Sequence, residues 1–497
     1  MHTLRPGTAV LERAHFSGKG TSVLSGRPGG SDGLMPRISR PGGAWLVIGG
    51  GLACVLAVGL YRVSMVAYPE HMGLNWFDFR VYWDGGLLAR HSPATIYSWR
   101  LSPEVRFTYT PFAAALFGLV SLMPWSLAKW LMTSASIAAL VLTVSVTLRQ
   151  LGWSGRRRLG AAAMLCAVTL WFEPVQRALH LGQVELILMA LIVWDLGQPT
   201  RRWWQGAGIG LAAGIKLVPL IFIPYLLLTR RFRQAGVAAA TLAGTVIVGF
   251  AVLPRPSRQW WLTGYFMDAA RTGGVASLAN QSLRGLLTRL AGSVPAVPGL
   301  VITILVGVLG VLGAAALYRS GKPVHGWTLC GLTGVLVSPI SWDHHWVWMV
   351  PVLVLFVDAA VRAEGVRRWA HWATACAVVA VFADWPGQVQ GTRSLIPRGL
   401  LPSVYGGPSD HLYGQLYHWP GAKLILGNAY ILAGLVLFAS MMAAAVLTRP
   451  SRGHLWAADP LPASPPAGLD PELSHRPGAA AAGPAVAPAS PTIGRPT

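Results

Sequence analysis

Residues 328–357 read TLCGLTGVLVSPISWDHHWVWMVPVLVLFV. Two apolar runs, Thr328–Ile340 and Trp346–Val357, each suited to a membrane helix, flank the polar island Ser341-Trp342-Asp343-His344-His345. A carboxylate and two imidazoles at a membrane boundary are costly, so their presence there marks a functional site by default. A second polar island, Asn75-Trp76-Phe77-Asp78-Phe79-Arg80-Val81-Tyr82, follows the first apolar helix. Together the islands describe a multi-span enzyme whose chemistry takes place at one membrane face.

Composition places the rest of the chain in the same class. Of 497 residues 53% are hydrophobic and only 12% charged, where a soluble domain carries about 25%. The apolar runs are mostly of about 17–24 residues, the length of a helix crossing hydrocarbon. Alternating strand patterns are absent, which argues against a β-barrel. The expected fold is therefore an all-α polytopic membrane protein. The net charge of +22 comes from short basic clusters between spans, such as Arg156-Arg157-Arg158, Arg201-Arg202 and Arg230-Arg231-Phe232-Arg233. That distribution is the positive-inside signature and not a nucleic-acid surface. Cys54, Cys166, Cys330 and Cys376 all lie inside apolar runs without metal-ligand spacing, so neither a disulfide framework nor a zinc site is expected.

Three segments follow. Residues 1–43, rich in Gly, Ser, Pro and Arg, read as a disordered cytoplasmic arm. Residues 44–448 form the transmembrane catalytic unit, and 449–497, dominated by Pro, Ala and Gly, form a disordered cytoplasmic tail. Residues 44–67 read as an anchoring first span. Thr110–Met123 is apolar but short, and is expected to be an interfacial or half-inserted helix. Further spans are expected near 126–148, 159–179, 182–197, 235–253, 297–318, 324–341, 345–361, 369–384 and 424–447. Basic clusters stand at both ends of Gln205–Thr229, which is too short to cross twice as straight helix. A broken hairpin turning near Lys216–Pro219 resolves this, since Pro219 and Pro224 lack backbone donors and irregular backbone at depth needs a protein-lined cavity. The count is then about twelve crossings, with both termini cytoplasmic and long outer loops at 68–125, 254–296 and 385–423.

Several polar residues could carry chemistry. Asp78 lies between Phe77 and Phe79, and a half-desolvated carboxylate suits a general base; its alternative is a helix cap, and Asp84 is the backup. In Asp343-His344-His345, adjacent imidazoles diverge on a helix, so one is expected to reach the cavity, while Asp343 could instead cap the following span. No spaced ligand partner is evident for a metal there. Lys216 could meet a lipid-linked phosphate or pair internally with Glu185. Gln183 can hydrogen-bond sugar hydroxyls. Asn280-Gln281-Ser282 opens an amphipathic segment whose Arg284 is a candidate phosphate ligand and whose Arg289 is expected to snorkel. No Walker or Rossmann fingerprint and no room for a soluble nucleotide domain exist, so a sugar transferase of this build needs a lipid-linked donor.

In order, Phe77-Asp78-Phe79-Arg80-Val81-Tyr82, Tyr109-Thr110-Pro111-Phe112, Leu181-Gly182-Gln183-Val184, Gly214-Ile215-Lys216-Leu217-Val218-Pro219, Asn280-Gln281-Ser282 and Ser338-Pro339-Ile340-Ser341-Trp342-Asp343-His344-His345 resemble glycosyltransferase family 87. These are the actinobacterial polyprenol-phosphate-mannose-dependent α-(1→2)-mannosyltransferases of the GT-C superfamily. The resemblance spans roughly residues 44–448. It implies a GT-C-type fold in the plasma membrane with a periplasmic active site and a polyprenyl-phosphate mannose donor. The implied acceptors are phosphatidylinositol mannosides, lipomannan and lipoarabinomannan. Asp78 maps onto the family's base. His344, His345, Lys216 and Arg284 are nominated for the donor phosphate, and Gln183, Tyr82, Asn280, Gln281 and Asp343 for sugar or acceptor. Glu185 departs from the Asn expected after Gly-Gln-Val. A β-linked donor giving an α-mannoside requires inversion. Because phosphate leaves as a stable anion, one carboxylate suffices where a glycoside hydrolase needs two, and no metal or cofactor is expected. Two other readings remain: a lipid-linked sugar transporter or flippase, suited by charges at depth and broken helices, and a GT-C arabinosyltransferase.

Overall fold

A computed structural model describes residues 43–67, 74–102, 105–198, 202–268, 271, 274–292, 296–388, 395–398 and 421–447. The two terminal segments expected to be disordered, and most of the third outer loop, lie outside the described residues. The described residues are overwhelmingly helical; the exceptions are two small hairpins, Arg100–Ser102 with Val105–Arg106 and Trp385–Gln388 with Leu395–Arg398.

Among the described residues, six helical segments are long and apolar enough to cross a bilayer: Gly43–Leu60, Trp125–Gln150, Phe232–Val252, Val297–Arg319, Asp343–Arg362 and Ala429–Leu447. A seventh crossing arises if the pair Glu173–Leu181 and Glu185–Leu196, bent by 115°, counts as one broken span. The chain is thus a multi-pass helical membrane protein, and the twelve crossings read from the sequence go beyond what these lengths establish. Pro111–Val120 is a ten-residue helix, about 15 Å long, too short to cross, as expected. Thr110 caps it by accepting from Ala113 N at 3.1 Å, with Pro111 at the first helical position.

Two breaks shape the interior. Helix Ala207–Ile215 ends where Lys216 turns extended (φ −142°, ψ 132°), and the chain resumes as the 3-10 turn Val218–Ile221 and helix Phe222–Leu228. This break falls where the prolines placed it. The 115° bend was not expected: Gly182 stands at its apex with φ 69°, a conformation that glycine adopts without steric cost.

Helices differ in what surrounds them. The Asp343–Arg362 window is 72% buried and Trp125–Gln150 is 56% buried, against 11% for Gly43–Leu60, so the first two are central and the last is peripheral. The outward faces carry exposed Leu52, Val55, Ile247, Leu300 and Val446, as a lipid boundary requires. Glycines let helices touch, at the periphery and in the centre. A Cβ at Gly50 would stand 2.5 Å from the Gly160 carbonyl, and one at Gly434 would stand 2.4 Å from the Trp346 ring. Trp346 then stacks on Phe382 (5.7 Å), which meets Tyr430 (4.4 Å), tying three helices together.

Four arginines mark one end of this bundle. Arg149 donates to Gly197 O at 3.1 Å, Arg362 to Leu151 O at 2.5 Å and Arg319 to Leu228 O, while Arg231 lies 5.7 Å over the Tyr318 ring. The polar islands sit at the opposite ends of the same helices. Trp76, beside Asp78, bonds Thr133 near the start of Trp125–Gln150, and Asp343 begins the span that ends at Arg362. Twenty-six residues of helix separate the two ends by roughly 39 Å.

Candidate active site

The first polar island folds into helix Phe77–His91. Its orientation is set from outside. Trp76 precedes it in the left-handed region (φ 49°), unusual for a bulky residue. Its indole donates to Thr133 Oγ1 at 3.0 Å, packs edge-on to Trp130 at 5.2 Å and accepts Lys129 over its face at 4.4 Å. The backbone N–H groups of Asn75 and Trp76 both donate to His180 O. Gly182 is pressed against the same turn: a Cβ there would lie 2.7 Å from Phe79 Cβ. Asp78 and Gln183 are thereby placed face to face.

Gln183 connects the site. Its amide nitrogen donates to Asp78 Oδ2, and its carbonyl oxygen accepts from Tyr82 Oη and, at 3.2 Å, from Tyr109 Oη. Tyr82 Oη and Tyr109 Oη also lie 2.6 Å apart, so one phenol shares its hydrogen between the other phenol and the Gln183 oxygen. Three partners leave the amide only one orientation, with nitrogen toward the carboxylate. Desolvation raises the Asp78 carboxyl above the usual carboxylate range, against the opposing pull of His344, the Gln183 hydrogen bond and Arg177. Burial likewise pushes both phenols well above their ordinary range, so they stay neutral.

A charged trio lies beyond Tyr109. Lys216 Nζ, released from helix by the break, contacts Glu185 Oε1, reaches His345 Nε2 at 2.9 Å and stands 5.5 Å over the Tyr109 ring. Of the two partners left open for Lys216, the structure supplies Glu185. His345 Nε2 is also 3.4 Å from Glu185 Oε1. His344 Nδ1 bonds Asp343 Oδ1 at 3.1 Å, and its buried Nε2 has no hydrogen-bond partner among the described residues. Arg177 Nε approaches Asp343 Oδ2 at 3.5 Å.

These groups border one cavity of about 1120 Å³. Asp78, Tyr82, Gln183, Lys216, Asp343, His344 and His345 all line it, as do Arg106, Arg177 and Arg271. Its volume exceeds the roughly 300–1,000 Å³ of ordinary small-ligand pockets.

The expectation that only one imidazole faces the cavity is corrected. Residues 343–348 form a 3-10 helix, and the His344 and His345 rings converge edge-to-face at 4.7 Å, both on the lining. Asp343 does not cap by side chain the span that follows; its Oδ1 takes the N–H of the next residue, His344, at 2.8 Å.

Three other nominations land away from the cavity lining. Asn280 and Gln281 are fully buried and their side chains serve backbone. Asn280 Oδ1 accepts from Ser341 N (2.9 Å) while Nδ2 donates to Val275 O; Gln281 Nε2 donates to Leu278 O and Gly427 O, and its oxygen accepts from Ile431 N. Asn280 also bridges Trp342 and Gln281 N donates to Ser341 O, so the motif is the splint of the second island. Buried polar groups need such partners. Arg284 is exposed on helix Leu283–Ala291 and does not line the cavity. Arg289 does not snorkel: it is buried and donates to Asn428 Oδ1, Ser277 O and Asn280 O. The backup Asp84 is held by Arg80 at 2.9 Å and lies off the lining.

Sequence reasoning missed Tyr109, Arg106, Arg177 and Arg271 as lining residues. Tyr109 was within a quoted motif, but its phenol finds Gln183 only through folding. Arg271 is fixed by Tyr265 O, Phe266 O and Thr108 O and lies 4.6 Å over the Trp260 ring. Glu185, His344 and His345 offer three donor atoms within 4.8 Å of one another, a juxtaposition that sequence spacing did not show. Lys216 Nζ bonds two of these residues, Glu185 and His345.

A model of glycosyltransferase family 87 matches residues 107–339. Among curated proteins, the chain is 33% identical over 329 residues to a polyprenol-phosphate-mannose-dependent α-(1-2)-phosphatidylinositol pentamannoside mannosyltransferase of Mycobacterium tuberculosis, covering 65% of this chain and 75% of that protein. It is 33% identical over 331 residues to the protein of the same description from Mycolicibacterium smegmatis, covering 64% and 79%. A phosphatidylinositol mannoside mannosyltransferase of M. tuberculosis is 29% identical over 420 residues, covering 78% and 88%. With the polytopic helical fold and the island motifs, these matches show that the chain is a membrane glycosyltransferase belonging to glycosyltransferase family 87.

Proposed function

We propose that the chain is an inverting α-(1→2)-mannosyltransferase that moves mannose from polyprenyl-phosphate mannose to a mannosylated lipid: a phosphatidylinositol mannoside, lipomannan or lipoarabinomannan. The observation that carries this reading is the shared cavity. A half-buried carboxylate, Asp78, and a cationic and imidazole group, Lys216, His344 and His345, border one space, linked through Gln183 and Tyr109. The relatives named above are, by their descriptions, polyprenol-phosphate-mannose-dependent mannosyltransferases of phosphatidylinositol mannosides.

Asp78 takes the proton of the acceptor hydroxyl. The acceptor oxygen forms a bond to the anomeric carbon as the bond from that carbon to the phosphate oxygen breaks on the opposite side. The polyprenyl phosphate departs as an anion, and preorganised charge at Lys216, His344 and His345 opposes its growing negative charge. Gln183 orients the base while the two phenols fix Gln183. Arg177 adds a further cation on the lining.

The site faces outward in this reading. It lies at the bundle end opposite Arg149, Arg231, Arg319 and Arg362, and the positive-inside rule assigns that basic end to the cytoplasm. Both termini are then cytoplasmic. Shorter helices such as Pro323–Val337 and Gly365–Phe382, packed among the six long ones, keep the number of crossings near twelve.

The test is transfer of labelled mannose by the purified protein in detergent, from polyprenyl-phosphate mannose to a phosphatidylinositol mannoside, with the product linkage read by NMR. An α-(1→2) product supports the reading. Movement of the lipid-linked sugar across sealed vesicles without transfer would instead identify a flippase. Transfer from polyprenyl-phosphate arabinose alone would identify the arabinosyltransferase alternative.

A further inference from the structure

Two arginines on the cavity wall have no part in the proposed chemistry. The other cations there have carboxylates: Lys216 meets Glu185, and Arg177 lies between Asp343 at 3.5 Å and Glu173 at 3.7 Å. Arg106 and Arg271 line the same cavity, and among the described residues neither is ion-paired to a carboxylate. Arg106 Nε is buried and has no hydrogen-bond partner among the described residues. Arg106 and Thr108 are on the lining, while Phe107 between them is fully buried and off it, the alternation of extended chain. Arg271 is held to that same stretch by Nη1, which donates to Thr108 O at 2.8 Å. Bonds from Nε to Tyr265 O (3.0 Å) and from Nη2 to Phe266 O (3.1 Å) fix the guanidinium over the Trp260 ring. Three of its five N–H groups are thereby spent and two are left. Burial pulls the Arg271 pKa below the ordinary arginine range, a cost that Asp268 offsets only in part. A desolvated cation without a counter-charge is expensive, and an anion in the cavity would repay both arginines.

We infer that Arg106 and Arg271 form a second anion subsite, which takes the phosphodiester of a phospholipid-anchored acceptor. The inference rests on the mannosyl-transfer reading above and narrows its acceptor to one that carries a phosphate. A lipid-phosphate mannose has a single phosphate, and Lys216, His344 and His345 hold it in that reading. The same group cannot also meet the arginines, whereas a glycolipid built on a phospholipid brings a phosphodiester of its own. Guanidinium suits that partner, since its planar fork matches two phosphate oxygens. The surroundings suit a lipid. Phe266, whose carbonyl holds Arg271, lines the cavity together with Met267, and Met267 is 72% exposed. A phosphate at Arg271 therefore has apolar surface beside it on which acyl chains can lie, the order of groups in a phospholipid. Fixing the acceptor by its charge places its sugar without spending the groups around Asp78.

The experiment measures KM separately for donor and acceptor, with the purified full chain in micelles of a neutral detergent. Polyprenyl-phosphate mannose and a phosphatidylinositol mannoside are the two substrates. Arg106→Gln removes one arm of the subsite. The expected result is a rise of about tenfold or more in KM for the acceptor, the effect of losing one charge-assisted hydrogen bond, while kcat and the donor KM hold. Arg271→Lys keeps a cation but loses the fork; it should move the same constant in the same direction, and it carries the test should Arg106→Gln not fold. An unchanged acceptor KM in a folded variant overturns the assignment. A rise in the donor KM instead gives the arginines to the donor phosphate and overturns it too. A difference between the proteins that appears only after phosphatidylinositol is added to the micelles assigns the subsite to bulk lipid, which also overturns it. Each of these leaves mannosyl transfer in place, whereas no transfer by the unsubstituted protein removes the reading on which the inference rests.

Discussion

Gln183 and Asp78, 105 residues apart, are joined by a hydrogen bond from the amide nitrogen to carboxylate Oδ2. The amide cannot turn away, because its oxygen is held by Tyr82 and Tyr109. The helix Phe77–His91 is thus locked to the bend at Gly182, and the proposed base is held at Oδ2 by this bond.

Asp78→Asn keeps the shape and removes the base. Transfer by the purified variant should fall by about 10²–10⁴, the usual contribution of a positioned general base, with the thermal midpoint little changed. Near-normal turnover in a folded protein would remove Asp78 from the mechanism.

The acid limb of kcat/KM should lie above the usual carboxylate range. Desolvation raises the Asp78 carboxyl, so protonation sets in at higher pH and activity is lost as pH falls through that raised value. The Gln183 hydrogen bond and the His344 charge both pull it down. Gln183→Leu and His344→Gln should therefore each move the acid limb upward; a limb that stays in place in both variants contradicts Asp78 as the titrating base.

Glu185→Gln strips Lys216 of its counter-charge. Breaking a buried pair costs about 3–5 kcal/mol, and the value here should fall at or below the lower end because Lys216 is 21% exposed to the cavity. Replacing both residues, Glu185→Leu with Lys216→Met, should restore most of the thermal midpoint but not the transfer rate. Recovery of both properties would reduce the pair to a structural device.

Gly182→Ala meets two obstacles, a φ of 69° and a contact 2.7 Å from Phe79 Cβ. A loss of about 1–3 kcal/mol is expected. Activity should drop with it, since relief of the clash moves the helix that carries Asp78. Unchanged kinetics would show that this helix tolerates displacement.

Asn280→Ala separates a splint from a sugar ligand. It orphans the buried N–H of Ser341, at a cost of about 1–3 kcal/mol. Stability measured by thermal unfolding should fall while KM for the acceptor in the folded fraction holds. A selective rise in KM would restore Asn280 to substrate binding.

How much of the site was legible differs residue by residue. Asp78 and the Asp343-His344-His345 island stood out because charge beside long apolar runs is expensive wherever it occurs. The break at Lys216 was readable from two prolines and a charge imbalance. Asn280, Gln281 and Arg289 were misread because a polar side chain looks the same in sequence whether it meets a ligand or a buried carbonyl. Tyr109, Arg177 and Arg271 were overlooked because each gains its meaning from partners far along the chain.

By itself the sequence determined that this is a multi-pass helical membrane enzyme, since hydrophobic length and the cost of unpaired charge in lipid are local properties. It also marked where polar islands interrupt those helices. Only the tertiary structure decided which island members converge, that both imidazoles share one cavity, and that Glu185 answers Lys216. Those outcomes depend on where two backbones come close, at Gly182 and beside Ser341, and a contact between residues a hundred positions apart has no local signature.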